Sequence, residues 1–177
     1  LYRLVGSEMC IRDRFEYIRK SVLAFNLPSI ELLNYEADDL IATYSEQILK
    51  LGGKVTIVSS DKDLMQLYKK NIRIYDPMKN KFVNEEDIKN KFGVGAEKVI
   101  DVQSLAGDSS DNVPGVPGIG VKTAAELITN FGTLENLLKN ASQIKQNKRR
   151  ETLIENKDKA LISKKLVTLK KDVPVKD

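Results

Sequence analysis

From Phe15 onward the apolar positions change period along the chain. Ile18, Val22 and Phe25 recur at helical spacing, which predicts a helix over 15–25 that Leu27-Pro28 breaks. Ile30 to Leu33 is a short strand candidate. Leu40, Tyr44, Ile48 and Leu51 then share one helical face, and Gly52-Gly53 closes that helix as a C-terminal glycine does. Val55 to Ser59 is β-branched and uninterrupted, the mark of a buried strand; a short helix is expected around Leu64 to Tyr68 and a strand over Ile72 to Tyr75. Strands alternating with helices predict an α/β unit with a parallel sheet and helices on its faces.

After Asp76-Pro77 the strand signal fades. Asn84 reads as a helix cap with Asp87 in the capping-box position, where Asp is a shorter stand-in for Glu. Helical patterns follow at about 85–92, 96–106, 121–131, 133–140 and 150–170. The reading is therefore an α/β domain over 15–84 and an all-α domain over 85–177. Residues 1–14 show neither period, and Val5 to Arg14 resembles translated sequencing-adaptor sequence. They are set apart as a non-native N-terminal segment replacing the true N-terminus, against the plainer reading of an ordinary disordered tail.

Composition narrows the chemistry. The 177 residues hold one cysteine and no histidine. That excludes an internal disulfide, cysteine- or histidine-ligated zinc, and nucleophilic catalysis through a histidine base. A metal would have to sit on oxygen ligands, which points to magnesium or manganese. No apolar run approaches the roughly 18 residues of a membrane span, and no leader is apparent, so the expected location is the cytoplasm. The net charge of +4 suits a polyanionic partner without demanding one. Its distribution says more: acids gather in the first two thirds, while the last third carries Lys145, Lys148, Arg149, Arg150, Lys157, Lys159, Lys164, Lys165, Lys170 and Lys171. A solvated helical face would look the same.

Three acidic clusters fall where elements hand over to one another. Glu36, Asp38 and Asp39 sit at the mouth of a helix; Asp61 and Asp63 lie just beyond the Val55–Ser59 strand, at the edge where open α/β sheets bind ligands; Asp108 and Asp111 lie in a turn before a proline-rich loop. Each has a structural explanation. Acids favour the first turn of a helix, polar loops are common, and Asp caps turns. Taken together, with no softer ligand competing, they fit a pair of magnesium ions roughly 4 Å apart acting on a phosphodiester. Repulsion among so many carboxylates would be costly without cations.

The most specific segment is Val113 to Ala125. Gly115, Gly118 and Gly120 permit close backbone approach, Pro114 and Pro117 stiffen the turn, and a helix then begins with unsatisfied N–H groups. Such an end accepts a phosphate, reinforced by Lys122 and Thr123. This is a helix–hairpin–helix pattern, which grips a nucleic-acid backbone without reading bases; the alternative is a structural turn between helices.

Glu36-Ala37-Asp38-Asp39, Asp61-Lys62-Asp63 and the run from Gly107 to Ala124 together resemble the 5′–3′ exonuclease domain of bacterial DNA polymerase I, in the flap-endonuclease superfamily, in order and spacing from Phe15 to Asp177. The resemblance implies a PIN-like α/β nuclease domain followed by a helical domain with a helix-3-turn-helix. It implies two divalent ions, Mg2+ or Mn2+, with Glu36, Asp38, Asp39, Asp61, Asp63, Asp108 and Asp111 forming most of the site. It implies hydrolysis of DNA at 5′ flaps, nicks, gaps and RNA primer–DNA junctions in replication and repair. The turn with Gly115, Gly118, Ile119, Gly120, Lys122 and Thr123 would hold the duplex, with a potassium ion, in a bacterial, nucleoid-associated enzyme.

Members of that family also carry a first strand with a metal-binding Asp, a second Asp and a basic, aromatic helical gateway upstream of the segment matching Phe15. The expectation is thus a sheet lacking its first strand, with cleavage impaired, and a polymerase domain following in the parent protein. Two other readings compete: a non-catalytic helix–hairpin–helix DNA-binding module, and a PIN-type ribonuclease toxin, against which the duplex clamp argues.

Overall fold

The computed structural model describes residues 14–175. The chain divides into two compact units, Leu1–Ala37 and Asp38–Asp177. In the first, helix α1 covers 14–24 and ends in a turn at Phe25 and Asn26. The segment set apart as non-native lies outside the described residues except for Arg14. No strand forms at Ile30–Leu33. Ile30 and Leu33 are exposed, and among the described residues no strand pairs with this segment, so the local β pattern has no ladder to join. The segment is held instead by Arg19, whose Nε and Nη2 donate to Glu31 at 2.8 and 3.1 Å.

The second unit opens with α2 (Ala37–Lys50), β1 (Val55–Val58), a 3₁₀ turn (Asp63–Leu67), β2 (Ile72–Asp76) and β3 (Lys81–Phe82). Strands β1 and β2 are parallel, with Val55 opposite Ile72 and Val58 opposite Tyr75. Strand β3, which the sequence does not announce, runs antiparallel to β2, with Tyr75 opposite Phe82. The β2 alternation is clean: Ile72 and Ile74 are fully buried, while Arg73 reaches out over the Phe82 ring. The buried positions of α2 are Leu40, Ala42, Thr43 and Ser45; Ile48 and Leu51, expected on the core face, are exposed. Small side chains are inside because the C-terminal segment lies close over this helix. Thr43 Oγ1 accepts from Val173 N and donates to Lys170 O.

The helices follow as α3 (Glu85–Phe92), a 3₁₀ turn (Ala96–Lys98), α4 (Val99–Ala106), α5 (Val121–Phe131), α6 (Leu134–Lys139), a 3₁₀ turn (Ala141–Gln143), α7 (Asn147–Glu155) and α8 (Lys157–Val167). The capping box at α3 is complete, Asn84 Oδ1 accepting from Asp87 N and Asp87 Oδ2 from Asn84 N. The helix expected over 150–170 is two helices, broken at Asn156, whose side chain donates back to Thr152 O. Helix α4 is the hub: Val99, Val102 and Leu105 are fully buried and it packs against α5, α6, α8 and the Asp63–Leu67 turn. One apolar cluster runs from Ala42 through Ile57, Ile74 and Leu105 to Ala160, so strands and helices of this unit share a core.

Candidate metal centre and nucleic-acid interface

The carboxyl end of β1 feeds directly into the acidic loop, and a chain of local hydrogen bonds sets its shape. Ser59 Oγ accepts from Asp61 N at 3.0 Å, and Asp61 Oδ1 accepts from Asp63 N at 2.9 Å. Between them Ser60 Oγ donates to Asp76 Oδ1 at 2.8 Å, tying the loop to the end of β2. Asp76 is buried and also accepts from the amides of Met78 and Lys79. The Ser60 hydroxyl, with Lys79 beyond it, outweighs burial and carries this carboxyl down to about 2.

The second acidic turn hangs from the end of α4. Asp108 and Val113 exchange both backbone hydrogen bonds, at 2.9 and 2.8 Å, and Asp108 Oδ1 accepts from Ser110 N. The turn is clamped by two glycines with positive φ, Gly107 at 72° and Gly115 at 58°. A Cβ on Gly115 would lie 2.4 Å from Gly107 N, so the backbones touch where no side chain fits. The Gly115 amide is spent on Ser163 Oγ of α8 at 2.9 Å.

These two loops bring Asp63, Asp108 and Asp111 together, with one ligand oxygen from each lying within 4.8 Å of the others. Glu36, Asp38, Asp39 and Asp61 stand outside that group. Asp61 is the neighbour that orients the Asp63 backbone. Asp38 and Asp39 occupy the first turn of α2, and Asp39 Oδ1 accepts from Lys170 N at 2.8 Å. Glu36 precedes the helix, in the other unit.

Two residues of the centre were given no role in the sequence reading. Lys62 Nζ is ion-paired with Asp108 Oδ2, and the pairing raises the lysine. Burial pushes Asp108 up, but the Lys62 hydrogen bond and the Ser110 amide prevail and hold it below the usual carboxylate range. Gln103 Nε2 donates to Asp63 Oδ1 at 2.6 Å. Even so, burial, with repulsion from Asp61 and Asp111, leaves Asp63 raised. Lys62 was visible as a base between two acids. Gln103 was visible only as a polar residue inside the apolar run of α4. Oxygen ligands from separate loops, with Asp63 and Asp108 partly buried and Lys62 paired to one of them, suit a hard divalent cation.

The helix–hairpin–helix turn divides into a face and a foundation. Gly118, Gly120 and Lys122 are exposed and Thr123 is half-buried, whereas Gly115 and Ile119 are buried. Helix α5 starts at Val121 with Gly120 as its cap and no side-chain cap, so its leading amides keep their capacity for an anion.

Two family models match end to end: 5′–3′ exonuclease, N-terminal resolvase-like domain, over residues 7–93, and 5′–3′ exonuclease, C-terminal SAM fold, over residues 94–177. A DNA polymerase I of Rhizobium leguminosarum is 54% identical over 162 residues, covering 92% of this chain and 16% of the relative. A 5′–3′ exonuclease of Buchnera aphidicola is 39% identical over 174 residues, covering 94% of this chain and 59% of the relative. The chain thus spans about a sixth of that polymerase and under two thirds of that exonuclease. Among solved structures, the T5 D15 protein co-crystallised with metal ions superposes with a TM-score of 0.84 at 22% identity, over 93% of this chain and 62% of that one. The catalytic core of Rad2 in complex with DNA substrate superposes at 0.56 and 21% identity, over 90% of this chain and 56% of the other. The PIN-like α/β part and the helical part that follows it are those of this fold, and the chain belongs to the 5′–3′ exonuclease family.

Proposed function

We propose that this chain supplies the metal-binding and duplex-gripping parts of a 5′–3′ exonuclease and 5′-flap endonuclease. The observation that carries the proposal is the convergence of Asp63, Asp108 and Asp111 beside the carboxyl ends of the parallel strands, in a chain that also presents a helix–hairpin–helix turn. The chemistry supplied by two bound divalent ions, Mg2+ or Mn2+, is activation of a water and neutralisation of charge on the scissile phosphodiester. Asp63, Asp108 and Asp111 would hold them, with Glu36, Asp38, Asp39 and Asp61 completing the set.

The exposed Gly118, Gly120 and Lys122, with Thr123 and the leading amides of α5, would take a backbone phosphate of the duplex, and a potassium ion at the turn carbonyls would share it. Ile119 and Gly115 act from beneath by keeping the turn in shape. Contacts of this kind are blind to sequence, which suits flaps, nicks, gaps and RNA primer–DNA junctions of any composition. The corresponding place in the cell is the bacterial cytoplasm, at the nucleoid; among the described residues no helix is long and apolar enough to cross a membrane.

The test is cleavage of a 5′-flap duplex in Mg2+. It is run on the chain as it stands and with residues 1–14 replaced by the corresponding segment of a family exonuclease, each beside Asp63→Asn. Cleavage that needs Mg2+ and Asp63 supports the proposal. A folded protein that binds duplex yet never cuts would make it a non-catalytic DNA-binding module.

A further inference from the structure

Gln103 sits on α4 among fully buried Val99, Val102 and Leu105, and is itself 4% exposed. A glutamine in such a place has to be satisfied at both ends, because buried amide groups without partners cost free energy. Its neighbour Ser104 meets the requirement within the helix, donating to Ile100 O at 2.6 Å. Gln103 does not. Its Nε2 leaves the helix for Asp63 Oδ1 at 2.6 Å, and its Oε1 is, among the described residues, the buried side-chain polar atom with no partner. Turning the amide over would set Oε1 against a carboxylate, acceptor to acceptor, so the orientation is fixed by Asp63. An apolar side chain of the same size would fill the space without an orphaned oxygen. What Gln103 gains is therefore its hydrogen bond to Asp63.

Asp63 needs such a hold. It faces Asp111 and Asp61, whose charges repel it, and its backbone amide is held by the Asp61 turn, which leaves the carboxylate free to rotate. We infer that Gln103 is a positioning residue of the metal centre: its amide locks the rotation of the Asp63 carboxylate toward Asp108 and Asp111, so that a divalent cation meets the ligands already arranged. This rests on the reading of Asp63 as a metal ligand. Donors that orient a ligating side chain are typically worth about 10- to 100-fold in metal affinity.

The experiment is calorimetric titration of the full chain with Mn2+, together with melting in EDTA, for the wild type, Gln103→Met, Val102→Ala and Asp63→Asn. Gln103→Met keeps the volume and removes the donor. It is expected to weaken the tightest Mn2+ site about tenfold while melting in EDTA no lower than the wild type. Val102→Ala, a packing change one residue away, should do the reverse: a lower melting temperature with Mn2+ affinity retained. Should Gln103→Met fail to fold, Gln103→Asn, one methylene too short to reach Asp63, is judged by the same criterion. Wild-type Mn2+ affinity in the folded Gln103 variant overturns the inference and leaves the metal centre standing. A wild type that binds Mn2+ no better than Asp63→Asn overturns the metal centre, and the inference with it.

Discussion

Lys62 places a positive charge against Asp108 where a cation would also be drawn, with Asp63 and Asp111 close enough to reinforce it. Its ammonium offsets the repulsion among these carboxylates, and under the proposed function it would compete with the cation. Lys62→Met should accordingly lower stability in EDTA by about 1 kcal/mol, the pair being only partly buried. It should also enlarge the rise in melting temperature produced by Mn2+; a smaller rise than in the wild type would mean that Lys62 helps to hold the ion. Asp76 makes a different prediction, about acid. Its carboxyl, near 3.8 when unfolded, is carried down to about 2 in the fold. A depressed carboxylate contributes stability that is complete above its unfolded pKa and is lost as the pH falls through the folded value. Asp76→Asn should flatten the decline in melting temperature between about pH 4 and pH 2, where the wild type loses this contribution. Equal slopes in the two proteins would contradict it. At this scale each acidic string was visible because its spacing is local, whereas the approach of Asp63 to Asp108 and Asp111 is a tertiary fact. Gln103 and Ser163 could not be read that way, since what they touch lies 40 and 48 residues away in the chain.

Elements were legible wherever their cause was local. The Asn84–Asp87 capping box is written within four positions, and the β2 alternation within five. Where the cause was tertiary the sequence misled. Ile30–Leu33 has strand-like residues but, among the described residues, no partner strand. The buried positions of α2 were decided by the C-terminal segment lying on Thr43, beyond the reach of any periodicity argument. The turn between α4 and α5 combines both kinds. Its glycines were plain, but not that two of them, Gly107 and Gly115, press backbone on backbone. Gly115→Ala must relieve a contact of 2.4 Å at a residue held at φ 58°, and so should cost roughly 3 kcal/mol or more. Gly118 also has positive φ, but no atom lies within 4 Å of its would-be Cβ; Gly118→Ala should cost about 1 kcal/mol, for conformation alone. Chemical denaturation of the two variants compares them directly, and equal losses would show that the close approach is not what fixes the turn.

Across the whole chain, the basic last third looked uniform in sequence and is not uniform in structure. Lys164 points inward, with Nζ 2.7 Å from both Asp101 of α4 and Glu135 of α6, and Arg150 donates to Ile144 O. Lys122, Lys145, Lys148, Lys157, Lys159 and Lys165 are exposed. The net charge of +4 therefore overstates nothing about binding but says little about where it happens. The two kinds of lysine separate by experiment. Lys164→Met removes the partner shared by Asp101 and Glu135, in a setting no more buried than the Lys62 pair, and should lower stability by about 1 to 2 kcal/mol. The folded variant should keep the wild-type dependence of duplex affinity on salt. Lys122→Ala should do the opposite, leaving stability within about 0.5 kcal/mol of the wild type. Its affinity should fall equally on every duplex sequence, and the slope of log affinity against log salt should shrink by about one. That slope counts counterions released from the DNA, so it reports a phosphate contact that a packing residue does not make. A loss confined to particular sequences would place Lys122 against bases, and an unchanged slope would remove it from the duplex altogether.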